Sequence, residues 1–173
     1  MNDEGPSVLT MIGAVALIVA CVILALVVLS VTGLDPKGHR AGLWLKGDAT
    51  TYPVNWGFAA KSPTLMIETN SGYLIPHSVN IYFVTDKDDL YLHADYPPGG
   101  KFPSGKVWTA NVARDPNLRI KIGNQVFDCK AVLLNDPAEF ATLFENFRKK
   151  YPKSPFSDYR RRADVYFLRV LPR

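Results

Sequence analysis

From Val8 to Val31 the chain reads VLTMIGAVALIVACVILALVVLSV, with no charged residue, and the charge-free stretch extends from Gly5 to Leu34. At 1.5 Å per residue such a run makes a helix of roughly 36 Å, enough to cross a hydrocarbon core of about 30 Å with some tilt. It divides the chain into a tail at 1–7, a transmembrane helix at 8–31, a juxtamembrane linker at 32–41 and a domain at 42–173. A cleaved secretory signal would need a basic leading region, about 7 to 15 apolar residues and a small-residue cleavage site. Here Asp3 and Glu4 lead, the run is too long, and Leu29-Ser30-Val31-Thr32 is a poor cleavage site, so the run reads as an anchor.

Orientation follows from the cations. None precedes the helix, whereas Lys37, Arg40 and Lys46 follow closely, and positive residues stay on the cytoplasmic side. The expected topology is single-pass in the cytoplasmic (inner) membrane, with the N-terminus outside and the domain in the cytoplasm. Of the two cysteines, Cys21 lies in the apolar run and Cys129 is alone in the domain, so no disulfide can form within one domain copy.

The domain is long enough to bury one real core. All 20 Lys and Arg follow the helix, as do all but two of the 16 Asp and Glu, so cations are in excess. That balance suits an anionic lipid surface, a phosphorylated cofactor or an acidic partner, and the anchor makes nucleic acid a poor match.

Pro and Gly break the domain into short, strand-like segments, giving a mainly β (α+β) expectation. Leu65 to Thr69 is one strand, and Ser78 to Val84 alternates Val79, Ile81 and Phe83 against Ser78, Asn80 and Tyr82. A polar turn at Asp86 to Asp89 leads into Leu90 to Ala94. Leu118 to Ile122 alternates, turns at Gly123-Asn124 and resumes from Gln125 to Val132, the clearest hairpin of the chain. Two helices interrupt the strands. Trp108 to Arg114 ends at Asp115-Pro116; the other opens at Asp136-Pro137-Ala138-Glu139, an N-cap followed by Pro and an acidic third position, and runs to about Lys150. Ala163 to Val170 supplies a closing strand.

Trp108-Thr109-Ala110-Asn111-Val112-Ala113-Arg114-Asp115-Pro116-Asn117-Leu118-Arg119-Ile120, followed by Ile122-Gly123, resembles the helix-to-strand passage of the pyridoxamine-phosphate-oxidase-like and deazaflavin-dependent nitroreductase families. Ser71-Gly72 and Pro76-His77-Ser78-Val79 fall where the deazaflavin group has a Ser-Gly-x-Pro-Arg turn, with two extra residues before Pro76 and His77 in place of the Arg. The resemblance covers about residues 65 to 170, and Gly42 to Phe58 resembles the N-terminal part of an uncharacterised, membrane-anchored branch. It implies a split β-barrel in which FMN or a deazaflavin carries the redox chemistry and the protein binds and orients it.

On that resemblance the candidate cofactor-binding residues are His77, Ser78, Asn80, Lys106, Trp108, Asn111 and Arg114. Each has a structural alternative: Trp108 as a core anchor, Asn111 as a partner of nearby backbone, Lys106 and Arg114 as solvated cations. Neutral His77 cannot replace the charge of an Arg. His39, His77 and His93 are too dispersed for a zinc site, and Cys129 reads as a packed thiol. The candidate membrane-surface residues are Lys37, Arg40, Arg148, Lys149, Lys150, Arg160, Arg161 and Arg162, which otherwise form a solvated face.

Two functions stay open. One is a membrane-tethered flavin- or deazaflavin-binding oxidoreductase at the cytoplasmic membrane face, near a lipid-soluble acceptor such as a quinone. The other is a non-catalytic accessory subunit, with no cofactor, that docks into a larger membrane complex through its barrel. The expected partners are the lipid bilayer, other membrane-complex subunits or a second copy in a homodimer, and no nucleic acid.

Overall fold

Strands β2 (Leu65–Thr69), β3 (His77–Ile81), β4 (Phe83–Asp86), β5 (Asp89–Asp95), β6 (Asn117–Ile122), β7 (Gln125–Leu133) and β8 (Val165–Pro172) form one antiparallel path in the order β3-β2-β6-β7-β8-β5-β4. A short β1 (Asp48–Thr50) adds in parallel to the start of β7. The structure is a computed structural model and describes residues 7–173, so the N-terminal tail apart from Ser7 lies outside the described residues.

The two ends of the path, β3 and β4, are separated in sequence by Tyr82 alone, so the sheet has to curl until its edges meet. At that corner the His93 amide donates to the Tyr82 carbonyl at 3.0 Å, carrying the β4–β5 pairing back to the end of β3. The result is the split β-barrel expected from the sequence. Its interior takes every second residue, as in β6, where Leu118, Ile120 and Ile122 are buried between half-buried neighbours. Trp56, Phe83, Phe127 and Leu168 fill the same core.

The Gly123-Asn124 turn, the end of the first domain helix and the start of the second fall where the sequence places them. Helix α2 spans Val107–Arg114, and α3 spans Pro137–Lys150. Asp136 caps α3, its Oδ1 accepting from the Ala138 amide at 2.8 Å and the Glu139 amide at 3.3 Å. On the outer face of the sheet, α3 buries Leu143, Phe144 and Phe147 against Val84, Tyr91, Val165 and Phe167 in a second core.

Two details differ from the sequence expectation. The strand read as continuous from Ser78 to Val84 breaks at Tyr82, where the chain turns the corner from one sheet edge to the other. The closing strand starts at Val165, because residues 159–164 form a 3-10 turn capped by Asp158. Ser78 is buried beneath Gly42, because the segment after α1 covers that face of β3.

Helix α1 spans Val8–Thr32, and none of its side chains is buried. It is the one helix among the described residues long and apolar enough to cross a membrane. The segment after it is stitched to the sheet. Leu34 exchanges backbone bonds with Trp44 and Leu43, Gly42 and Ser78 bond each other in both directions, and Lys121 Nζ meets Asp35 Oδ2 at 2.5 Å.

Candidate functional site

Where β3, the start of α2 and the chain leaving α1 converge, a groove of about 950 Å³ opens. This is at the upper end of the range for small-molecule and cofactor sites. Its walls come from three sources: Gly38 to Ala41 of the segment after α1, His77 and Val79 to Tyr82 of the β3 edge, and Lys106 to Trp108 at the start of α2. Phe156 and Pro155 close one end.

The charges in the groove are unequally matched. Lys106 Nζ lies 3.3 Å from Asp95 Oδ2, so its charge is largely balanced. His93 borders the groove with its imidazole fully buried, stacked on Phe147 at 3.9 Å between ring centroids. Burial, reinforced by the Lys106 charge, pushes the His93 pKa down to about 3. Although Asp95 Oδ1 is 3.8 Å from Nδ1, desolvation wins at neutral pH and the ring is neutral, so the pair is not a salt bridge. Both His93 ring nitrogens lack a hydrogen-bond partner among the described residues. Burial also lowers the His77 pKa, which keeps that ring neutral as well.

Of the residues singled out from sequence, His77, Asn80, Lys106 and Trp108 meet in this groove. Ser78, Asn111 and Arg114 do not. Ser78 is buried against Gly42 and does not line the groove. Asn111 Nδ2 donates to Thr69 Oγ1 at 3.0 Å, and Thr69 Oγ1 donates in turn to the His77 carbonyl at 3.1 Å. Arg114 Nη2 donates to the Asn70 carbonyl at 2.5 Å and to Asn111 Oδ1 at 3.3 Å. These two residues tie α2 to Thr69 at the end of β2 and to Asn70 beyond it, and neither lines the groove. Trp108 does both jobs, since it is packed in the barrel core and lines the groove.

Sequence reasoning missed His39 and Arg40 as groove residues, because nothing local marks a juxtamembrane turn as part of a site formed by a strand 40 positions on. The basic cluster near the C-terminus is mostly engaged internally. Arg148 bonds the Ser157 carbonyl and Glu145, Arg161 bonds Asp164 and the Tyr96 carbonyl, and Arg160 holds Asp158. Arg162 lies over the rings of Phe140 and Phe144. Lys150 Nζ is buried 3.4 Å from the Phe83 ring centroid, and burial pushes its pKa down to about 8. Lys149 remains exposed, as do Lys37 and Arg40 beside α1.

A second hollow of about 440 Å³ lies between residues 45–52 and the C-terminus. Its Arg119 is already paired with Asp128 at 3.0 Å and with Glu68 at 3.7 Å, which leaves it less able to hold an anion.

A curled antiparallel sheet of this order, with helices packed against it, is a split β-barrel. Residues 59–171 match the family model described as F420H(2)-dependent quinone reductase, and the chain belongs to that family. A search of curated proteins gave no match. Among solved structures, the chain is similar to the conserved hypothetical protein Rv2991 from Mycobacterium tuberculosis, at 15% identity and a TM-score of 0.52, with 67% of this chain and 76% of that one covered. It is also similar to ChuZ from Campylobacter jejuni, at 13% identity and a TM-score of 0.51, with 67% of this chain and 50% of that one covered. A structure described as F420-H2 Dependent Reductase (FDR-A) matches at 22% identity and a TM-score of 0.47, with 62% and 94% covered. At these identities the structural likenesses establish the fold.

Proposed function

We propose that this protein is a membrane-tethered oxidoreductase that binds a reduced deazaflavin or, alternatively, FMN in the groove and acts at the cytoplasmic membrane face on a lipid-soluble acceptor of the quinone class. The observation that carries this reading is the groove itself, a cleft lined by Trp108, Tyr82 and Phe156 and by Arg40, unpaired among the described residues, in a chain whose family is named for F420H(2)-dependent quinone reduction. The residues present fit such a cofactor. A planar tricycle needs apolar walls, which Trp108, Val79 and Tyr82 offer, and a phosphorylated tail needs an unpaired cation, which Arg40 supplies.

When bound, the cofactor supplies hydride chemistry. This chain's own contribution is to exclude water with Trp108 and Phe156, to hold the anionic tail at the rim, and to present neutral His77 as a hydrogen-bonding group. Helix α1 favours the tether, since a charge-free helix without any buried side chain has no protein surface to cover it. Its last residue, Thr32, is eight residues before Arg40. At about 3.5 Å per residue at most, the groove rim stands within roughly 28 Å of the helix end, close enough for an acceptor that partitions into the bilayer.

The test uses the full chain in mild detergent, mixed with F420H2 and a soluble quinone analogue, and follows cofactor oxidation near 420 nm, an approximate property of the cofactor. Turnover proportional to protein is expected. Protein that binds neither F420 nor FMN and purifies only within a larger membrane complex would establish the accessory-subunit reading instead.

A further inference from the structure

The chain leaving α1 is fixed to the barrel as firmly as a strand. Lys37 and Arg40 close a tight turn with reciprocal backbone bonds of 3.1 and 2.9 Å, and Gly38 at its tip has a φ of +56°. Asn80 Nδ2, on the β3 edge, donates to the Pro36 and Gly38 carbonyls at 3.2 and 3.4 Å. At Gly42 a Cβ would come within 2.1 Å of the Leu34 carbonyl oxygen and 2.6 Å of Pro36 N, so the approach needs glycine.

The turn held in this way places Arg40 and His39 on the wall of the groove. Among the described residues Arg40 makes no ion pair. Lys106, the other cation of the groove, faces Asp95, and the two charges nearly cancel. His77 and His93 add none. The unbalanced positive charge of the groove therefore comes from a side chain that belongs to the anchor's connecting segment and not to the barrel. Lys37, on the same turn, does not line the groove.

We infer that Arg40 is an anion-binding residue of the groove, recognising a phosphoryl group of the ligand, and that the site is complete only when the segment following the membrane helix is in place. Where that ligand is the deazaflavin or FMN, the inference rests on the function proposed above. Its physical content is independent of the cofactor's identity: a guanidinium with no internal partner, held at the rim of a cleft, offers a two-pronged contact to phosphate oxygens. The anchor then does more than set location, because it also supplies part of the binding site.

The experiment measures binding of F420, and separately of inorganic pyrophosphate, to the full chain in mild detergent, comparing wild type with Arg40→Ala, Arg40→Lys and Lys37→Ala. Loss of one charge-assisted contact weakens binding about 10- to 100-fold, so Arg40→Ala should weaken both ligands by that factor. Arg40→Lys should recover part of the loss, and Lys37→Ala should stay within about 2-fold because an exposed charge outside the groove is screened. If F420 binds and Arg40→Ala leaves its affinity unchanged, the inference is overturned while the oxidoreductase reading stands. Pyrophosphate binding that depends on Arg40 without any binding of F420 or FMN would support the anion site and sink the cofactor reading. Should wild type bind neither of these ligands nor FMN, measured in the same way, both readings are overturned.

Discussion

His93 shows how a single residue's environment sets its chemistry. Strand β5 turns it toward α3, where Phe147 stacks on it at 3.9 Å and 7° and Phe167 meets its edge at 5.6 Å. With the ring fully buried and its pKa pushed down to about 3 from an ordinary 6.5, the unfolded chain binds the proton more tightly than the folded one. Stability contributed by the neutral ring is therefore present above pH 6.5 and lost as pH falls from 6.5 toward 3, by up to about 1.4 kcal/mol per pH unit. His93→Phe keeps the stacking and removes the titration. Chemical denaturation from pH 7 to pH 4 should show a shallower loss of stability in this variant than in wild type, and parallel curves would mean that the ring is not buried neutral. This residue was legible in sequence only as a histidine unsuited to zinc, since its burial comes from α3, which lies more than 40 positions further along the chain.

At the scale of elements, the parts read correctly from sequence are those whose signals are local. Gly123 adopts a φ of +60° in the β6–β7 turn, Pro116 stops α2, and Asp136 with Pro137 starts α3, each needing only neighbours within a few residues. The elements that escaped depend on distant partners. Strand β1 forms because β7 offers a free edge at Gln125 to Phe127, and the turn at Lys37 to Arg40 sits where Asn80 holds it. The stretch read as a juxtamembrane linker is for this reason a wall of the groove, and that wall could not be seen in the sequence. Gly42 gives this a test. Gly42→Ala forces its Cβ against backbone atoms of Leu34 and Pro36, which cannot yield as a side-chain tip would, and the strain should cost about 1 to 3 kcal/mol. The sheet does not depend on that contact, so the cheaper response is for the turn to lift away. Trypsin should then cut after Lys37 and Arg40 faster than in wild type while the circular dichroism of the barrel is unchanged. Equal cleavage rates would show that the turn is not held by this approach.

For the whole molecule, two bodies of apolar surface have different fates: the barrel buries its own, and α1 buries none. Leu17, Ile18 and Leu24 are among the exposed apolar residues of α1, a helix long and apolar enough to cross a bilayer. The barrel needs no such help, since its two cores close without contribution from α1. Two truncations separate these roles. A chain beginning at Leu34 loses the anchor but keeps the turn, the Asp35–Lys121 pair and Arg40, so it should move to the soluble fraction with its melting temperature and pyrophosphate affinity close to those of the full chain. One beginning at Leu43 loses the turn as well. It should still fold as a barrel, at lower stability because Asn80 and Lys121 lose their partners, and it should bind pyrophosphate about 10- to 100-fold more weakly. In intact cells, cations placed only after the helix predict that external protease spares the domain. Digestion of the domain from outside would reverse the topology, and a truncation at Leu43 that binds as tightly as one at Leu34 would mean that the anchor tethers the site without forming any of it.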